Sequence, residues 1–475
     1  MKTPWAFLLF MFALIFGLLV QAAPCLAQDM LFVQTISILG AEKSKEALIL
    51  RELNFSVGDS VAFDELEELM ALNQRNVYNL LLFNDVSFIP EVLNDRLYVI
   101  ITLKERWYIF PYPRLKLEER NTYDFLKNPS FDRVSFGLGL NWRNVTGWNE
   151  TLNIKTQLGF TQRLTVEYIR PALFYKENID LLATFRFINE KEVIVRTEEG
   201  IPEWENTVNE PLQQTLFGSL ALRKRFSVTQ SIEAELNFKQ VRFSDSIYIF
   251  NDKFIPSSDG KEYYPSIVLT FADDKRDLKN YPLQGIKYQF IFRFSGPPGL
   301  ASTSFVKVGG SFAHHIPLSR RLNFSYGFHQ MFAFGDRIPF YEKNFIGIDR
   351  KEFRSLGYNL RGYERYAIDG AHVSMLKGEW KIGVFPRRII HIRQIPFERF
   401  QDFPFGLYLT VYSDLGYVAD PTFNNQDTFL KNRLLAGYGI GLNLIGIYDT
   451  LFRIEYSRNH FNEGGVYFHA SISIK

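Results

Sequence analysis

Val134-Ser135-Phe136-Gly137-Leu138-Gly139-Leu140-Asn141-Trp142-Arg143 is a stretch with two unlike faces. Successive side chains of a strand point to opposite sides, so Val134, Phe136, Leu138, Leu140 and Trp142 share one face and Ser135, Gly137, Gly139, Asn141 and Arg143 the other. The same period of two recurs on both sides of this stretch. Leu152, Ile154, Thr156 and Leu158 oppose Asn153, Lys155 and Gln157, and Ile232, Ala234, Leu236 and Phe238 oppose Glu233, Glu235, Asn237 and Lys239. Ile286, Tyr288, Phe290, Phe292 and Phe294 make a strongly apolar face, and towards the end Val466, Phe468, Ala470, Ile472 and Ile474 oppose Tyr467, His469, Ser471, Ser473 and Lys475. A soluble sandwich would turn the polar face to water and a membrane barrel would turn it to its lumen, so alternation alone does not choose between them.

The number and spacing of the segments do choose. About sixteen begin near Trp107, Val134, Glu150, Leu164, Ile179, Thr215, Ser231, Tyr264, Gly285, Thr303, Leu322, His372, Phe405, Arg433, Thr450 and Gly465. An even number of strands, each long enough for roughly 9–11 residues across a bilayer, suits a transmembrane barrel. Closure gives every backbone donor and acceptor a partner, which an open sheet in lipid lacks. Trp107, Tyr168, Tyr264 and Tyr417 are placed for interfacial girdles. The predicted fold is an all-β transmembrane barrel of about 16 antiparallel strands over 107–475.

Composition is compatible with this. In 475 residues there are 46 Phe, 24 Tyr and 1 Cys, and 54 basic against 52 acidic residues leave a net charge of +2, which gives no electrostatic case for nucleic acid. Mean hydropathy is −0.10, as a barrel allows because only alternate residues face lipid. Residues 1–27 read as a secretory signal, with Lys2, an apolar run from Trp5 to Val20 and a small-residue exit at Ala27. No later run reaches the roughly 18 apolar residues of a membrane helix.

Residues 28–106 precede the barrel and read as a small α+β domain of order β-α-α-β-β. A strand through Val33–Leu39 is followed by a helix from Lys45 to Leu53 with Ser44 as N-cap, then a longer helix from Asp64 to Leu81 with Leu66, Leu69, Met70 and Val77 on one stripe. Strands at Val86–Pro90 and Leu97–Leu103 complete it. This order, with Ile49-Leu50-Arg51-Glu52-Leu53, Val57-Gly58-Asp59, Leu82-Phe83-Asn84-Asp85-Val86 and Glu105-Arg106-Trp107, resembles a polypeptide-transport-associated (POTRA) domain. The resemblance implies a periplasmic domain that receives unfolded client chains, with strand addition to a sheet edge as the physical mode.

No catalytic constellation is present: the seven histidines include no HExxH, and there is no P-loop or Gly-x-Ser-x-Gly. His314-His315 are expected near a barrel rim, with a metal site as the alternative reading of the pair. The expectation is a protein that is not an enzyme and uses no cofactor or metal.

The most distinctive connection is 337–371, which includes Gly347, Gly357, Leu360-Arg361-Gly362-Tyr363 and Gly370 and reads neither as strand nor as helix. If the first strand rises from the periplasm, this segment, 189–213, 244–262 and 420–432 are external loops, whereas 144–149 and 273–285 are periplasmic turns. The connection from Gln394 to Phe405 is long for the periplasmic side. Parity turns Lys377, Glu379 and Lys381 inward from one strand and Tyr412, Asp414 and Gly416 from the next. A planar guanidinium satisfies two carboxylate acceptors at once, so Arg361 is expected to fold into the lumen and pair with Glu379, Asp414 or both.

Leu360-Arg361-Gly362-Tyr363, the strand holding Glu379, and Tyr412-Ser413-Asp414-Leu415-Gly416 match in order and spacing the signature of the bacterial surface-antigen and outer-membrane assembly-factor barrels. Asp274-Lys275-Arg276-Asp277 with Pro282 and Gly285 matches a turn these barrels share. The resemblance implies a lumenal sixth external loop docked through Arg361, Gly362 and Tyr363, and a lateral opening between the first and last strands. It also implies insertion or translocation of client proteins. The implied partners are the outer-membrane bilayer, unfolded client proteins, and periplasmic chaperones or accessory assembly proteins. A dedicated secretion translocator and a passive outer-membrane pore are the alternatives. The chain departs from the pattern in having one POTRA domain rather than several and in ending Ile474-Lys475 rather than on an aromatic residue.

Overall fold

The computed structural model describes residues 30–117, 133–207, 210–227, 229–247, 254, 260–278, 281–335, 338–347, 359–391, 402–420, 429–446 and 451–471. The expected signal at 1–27 and the final Ile474-Lys475 lie outside them. The chain divides into two compact units, one reaching to Tyr108 and including Arg143–Asn149, the other formed by Ile109–Trp142 and Glu150 onward.

The first unit is a four-stranded sheet covered by helices. Its strands are β1 (Met30–Leu39), β2 (Ser60–Ala62), β3 (Phe83–Leu93) and β4 (Arg96–Glu105), in the order β2-β1-β4-β3, with β1 and β4 parallel. The alternation Leu97, Val99, Ile101 buries one face of β4 almost completely. The short edge strand β2, antiparallel to β1, is too brief to show in the sequence and makes the order β-α-β-α-β-β. Both helices are shorter than their apolar patterns suggest, spanning Glu46–Leu50 and Leu66–Tyr78, the latter led in by a 3-10 turn at Phe63–Glu65. Ser44 does not cap the first helix, for Lys45 holds that position without a side-chain bond. The Ser44 hydroxyl instead accepts from Asn144 Nδ2 at 2.9 Å and lies 3.4 Å from the Tyr108 hydroxyl. Asn73, fully buried on the second helix, accepts from Asn54 N at 2.6 Å and donates to Leu69 O at 2.7 Å.

The second unit is a 16-stranded antiparallel sheet. Its first eight strands are β5 (Ile109–Leu117), β6 (Val134–Arg143), β7 (Thr151–Gly159), β8 (Gln162–Phe174), β9 (Ile179–Glu190), β12 (Gln213–Arg225), β13 (Gln230–Phe243) and β14 (Lys261–Asp274). The other eight are β15 (Gly285–Ser295), β16 (Phe305–Pro317), β17 (Leu322–Phe334), β20 (His372–His391), β21 (Asp402–Ala419), β22 (Leu434–Ile445), β23 (Leu451–Asn459) and β24 (Gly464–Ser471). Leu138 (69% exposed), Leu236 (63%) and Phe290 (59%) project outward, which is the surface a bilayer requires, while Ser135, Lys381, Tyr412 and Asp414 are buried on the inside. Among the described residues no helix is long and apolar enough to cross a membrane; the crossing is made by strands. The order ends at β24 and β5, and among the described residues no ladder joins these two.

Two hairpins occupy long external connections: β10 (Glu192–Glu198) with β11 (Ile201–Asn206), and β18 (Asn344–Gly347) with β19 (Ala367–Gly370). The second gives the 337–371 segment the regular structure its sequence concealed. The Gln394–Phe405 connection is shorter than the sequence suggests at its C-terminal end, since β21 already begins at Asp402 and stays paired with β20 out to His391↔Asp402. Tyr264 is not a girdle residue: it shares the inward face of β14 with Glu262 and Ser266 and is fully buried, and Tyr263 is the residue on the outside.

Candidate functional site

The tip of the long loop lies against the inner wall of β20–β23. Arg361 Nε donates to Asp414 Oδ2 at 2.8 Å and Nη2 to Asp414 Oδ1 at 2.6 Å, the two-point match of guanidinium to carboxylate. Nη1 donates to Glu379 Oε2 at 3.3 Å and stands 4.0 Å from Glu455 Oε1. The guanidinium carbon is 3.7 Å from the centre of the Tyr412 ring, over its negative face. Arg361 is 6% exposed and Asp414 fully buried. Burial would drive the guanidinium towards neutrality, but the Asp414 bond and the surrounding carboxylates outweigh it and raise its pKa, so the cation is held.

Backbone geometry makes the approach possible. Gly362 has φ +92°, a left-handed conformation that glycine adopts without strain, and its N–H donates to Glu364 Oε2 at 2.9 Å. On the wall, a Cβ at Gly437 would stand 1.8 Å from the Arg361 carbonyl oxygen, and one at Gly416 would stand 2.7 Å from Leu360 Cδ2. The loop backbone therefore rests where β21 and β22 carry no side chain. Tyr363, fully buried, bonds to His460 Nδ1 at 2.5 Å, Ser457 Oγ donates to Glu364 Oε1 at 3.1 Å, and Tyr366 donates to Glu463. The tip thus reaches the turn between β23 and β24. Burial raises the Glu364 carboxyl to about 7.

The first arm of the loop is held on a different part of the wall. Glu342, in a 3-10 turn at Phe340–Glu342, accepts from Lys239 Nζ of β13 at 2.6 Å and from Arg293 of β15 and Lys307 of β16 at 3.4 Å each. Burial opposes its charge, yet the three cations hold its carboxyl well below the usual range. Above this group lies an apolar cluster that includes Ile194, Phe243, Phe254, Tyr264, Phe305, Tyr341 and Phe345. Thr197 and Lys431 bond to Asp369, and Lys343 bonds to Asp420, which ties the external hairpins and loops together.

At the opposite end, where β5 begins, the turn after β14 holds the other motif. Arg276 binds both oxygens of Asp274 at 2.7 and 2.8 Å, and Asp277 Oδ1 accepts the N–H groups of Leu278, Leu283 and Gln284. Gly285 opens β15, and the Pro282 carbonyl accepts from Lys381 Nζ at 2.8 Å. This carries Tyr281 across to β21 and β22, with its ring 5.0 Å from that of Tyr408 and its hydroxyl bonded by Asn443 at 3.1 Å.

Arg361, Gly362, Tyr363, Glu379, Asp414 and Gly416 thus meet at one place, while Asp274, Arg276, Pro282 and Gly285 form a separate structure at the other end. His315 bonds to Ser325 and His314 to Tyr326. Glu342, Gly437 and Tyr281 escaped the sequence reading. The run Gly437-x-Gly439-x-Gly441 was a signal for an inward face left bare; nothing in Phe340-Tyr341-Glu342 marked its three cations.

The domain model of the Omp85 superfamily matches residues 144–456. The chain belongs to the Omp85 superfamily. BamA from Haemophilus ducreyi, solved without POTRA domains 1-3, is similar with a TM-score of 0.64 at 13% identity, over 92% of this chain and 83% of that one. CdiB from Acinetobacter baumannii gives 0.51 at 13% identity over 93% and 74%, and CdiB from Escherichia coli 0.51 at 9% over 95% and 92%. At these identities the likeness is one of fold. No protein of curated function matches the sequence. As an Omp85 barrel the chain resides in the outer membrane with its N-terminal domain in the periplasm, so the connections at the end where β5 begins are periplasmic.

Proposed function

We propose that this Omp85 barrel assists the insertion or translocation of client proteins, using the edge between β5 and β24 as a place where a client strand pairs. The observation that carries the reading is the sheet order, which ends at β5 and β24 with no ladder between them among the described residues. Unpaired strand edges are templates for another chain, and backbone hydrogen bonds recruit a partner with little sequence demand. The N-terminal domain, read as a single POTRA domain, offers a second edge in β3, where Ile89, Val92 and Leu93 are exposed.

A passive pore is a poorer account of the same barrel. Its lumen holds the docked loop, its external end the aromatic cluster, and its periplasmic end the Tyr281 turn. Cysteine pairs scanned between Ile109–Leu117 and Gly464–Ser471 test the proposal. A disulfide that joins the two strands is expected to deplete clients from the outer membrane or the medium, with recovery on reduction. Full function with the strands quantitatively joined would refute it.

A further inference from the structure

The β20–β21 ladder outruns the barrel. β17 accompanies β20 as far as Leu322↔Ile382, and β22 accompanies β21 as far as Gly406↔Ile445. From Val384 to His391, β20 is paired among the described residues with β21 alone, and from Arg388↔Phe405 to His391↔Asp402 the two strands continue as a two-stranded ribbon of roughly 13 Å at about 3.3 Å per residue. Its β20 edge is poorly made for strand addition. The register shifts at Gly383/Phe385 and again at Phe385/Arg388, and Pro386 between them has no N–H to offer. Bulges, proline and charge are the features that blunt an edge.

What the ribbon presents instead is a gradient of chemistry. Val384 (45% exposed) and Phe385 (48%) continue the outward apolar strip of Trp380 and Ile382, and Arg387 and Arg388 follow, both exposed. The adjoining periplasmic turn is fastened to the same place, because Gly383 N donates to the Arg321 carbonyl at 2.6 Å. That turn exposes Arg320 and Arg321. Four arginines thus stand on one sector of the periplasmic rim, just beyond the surface that meets acyl chains.

We propose that this sector binds the phosphate headgroups of anionic phospholipids in the periplasmic leaflet. Guanidinium groups bind phosphate at two points, and basic side chains beside apolar ones are suited to the boundary between acyl chain and headgroup. The complementarity of charge and the continuity with the lipid-facing surface favour a lipid over a polypeptide.

Full-length protein in nanodiscs of phosphatidylcholine and phosphatidylglycerol provides the test, with retained lipids counted by native mass spectrometry. Phosphatidylglycerol is expected to be enriched several-fold over the bulk mixture, and the enrichment to shrink at high salt. The variant R320E/R321E/R387E/R388E should bring it to about unity, and lysine at the four positions should keep most of it. Heat-modifiable migration checks folding. Should the fourfold reversal not fold, the pairs R320E/R321E and R387E/R388E are each expected to lose a large part of the enrichment. Equal enrichment in the reversed variants, no enrichment in the native protein, or a photocrosslinker at Arg388 that captures polypeptide in place of lipid would overturn the proposal.

Discussion

Arg361 and Asp414 meet through two parallel hydrogen bonds, 2.8 and 2.6 Å long, at a point where Asp414 has no exposure to solvent. Breaking a buried pair leaves the remaining charge uncompensated, which costs about 3–5 kcal/mol. Arg361→Ala and Asp414→Ala should each allow membrane insertion but lower the temperature of heat-modified migration and reduce activity. The double variant should lose much less than the sum. Additive losses, or full complementation by Arg361→Ala, would remove the pair from any role in stability or function.

Gly437 tests the seat without touching a charge. Its missing side chain leaves room for the Arg361 carbonyl, and a Cβ would be 1.8 Å away. Gly437→Val should therefore displace the tip as Arg361→Ala does, read as increased labelling of a cysteine introduced at Leu360, which is fully buried.

The docked tip should respond to pH through Glu364. Burial raises its carboxyl from 4.5 to about 7, so the docked tip holds a proton that a released tip does not. That contribution is complete below the ordinary carboxylate range and is lost as pH climbs through about 7. Labelling at Leu360 should rise between about pH 5 and pH 8, and Glu364→Gln should flatten the profile. An unchanged profile in Glu364→Gln would assign the dependence to another group.

For Glu342, removing the carboxylate charge should be worse than removing the whole cluster. Glu342→Gln leaves Lys239, Arg293 and Lys307 facing one another, with an expected loss of about 3 kcal/mol or more. Adding Lys239→Met should recover part of it, measured by urea unfolding in detergent micelles.

Tyr281→Ala should open the periplasmic end by removing a ring packed against Tyr408. Single-channel conductance in planar bilayers is expected to rise, while the Arg361 contacts and external loops stay in place.

Strand parity made most of the barrel legible in the sequence, because a period of two admits only two faces and one of them must be apolar in lipid. Thr215, Tyr264 and Thr303 were each read within a few residues of the strand starts at Gln213, Lys261 and Phe305. Tyr264 was nonetheless misplaced, since an aromatic residue near a strand end can face lipid or the interior, and this one joins the apolar cluster inside the barrel. The same parity puts Glu379 and Asp414 on the lumenal side. Contacts between segments far apart in the chain leave no such periodic trace. Lys239 and Glu342 are 103 residues apart, and Tyr281 reaches Asn443 over 162, so neither partner could be read from its neighbours. The β20–β21 ribbon was hidden differently: bulges at Gly383 and Phe385 break the alternation by which a strand is recognised.

The long loop is fastened at Glu342 to β13, β15 and β16 and at Arg361 to β20 and β21, and so acts as a tie between separate parts of the wall. A pull on the C-terminal hairpins must first load that tie. Mechanical extraction of this protein from a membrane should accordingly begin with one high rupture force, not with the even sawtooth of hairpins peeling away in turn.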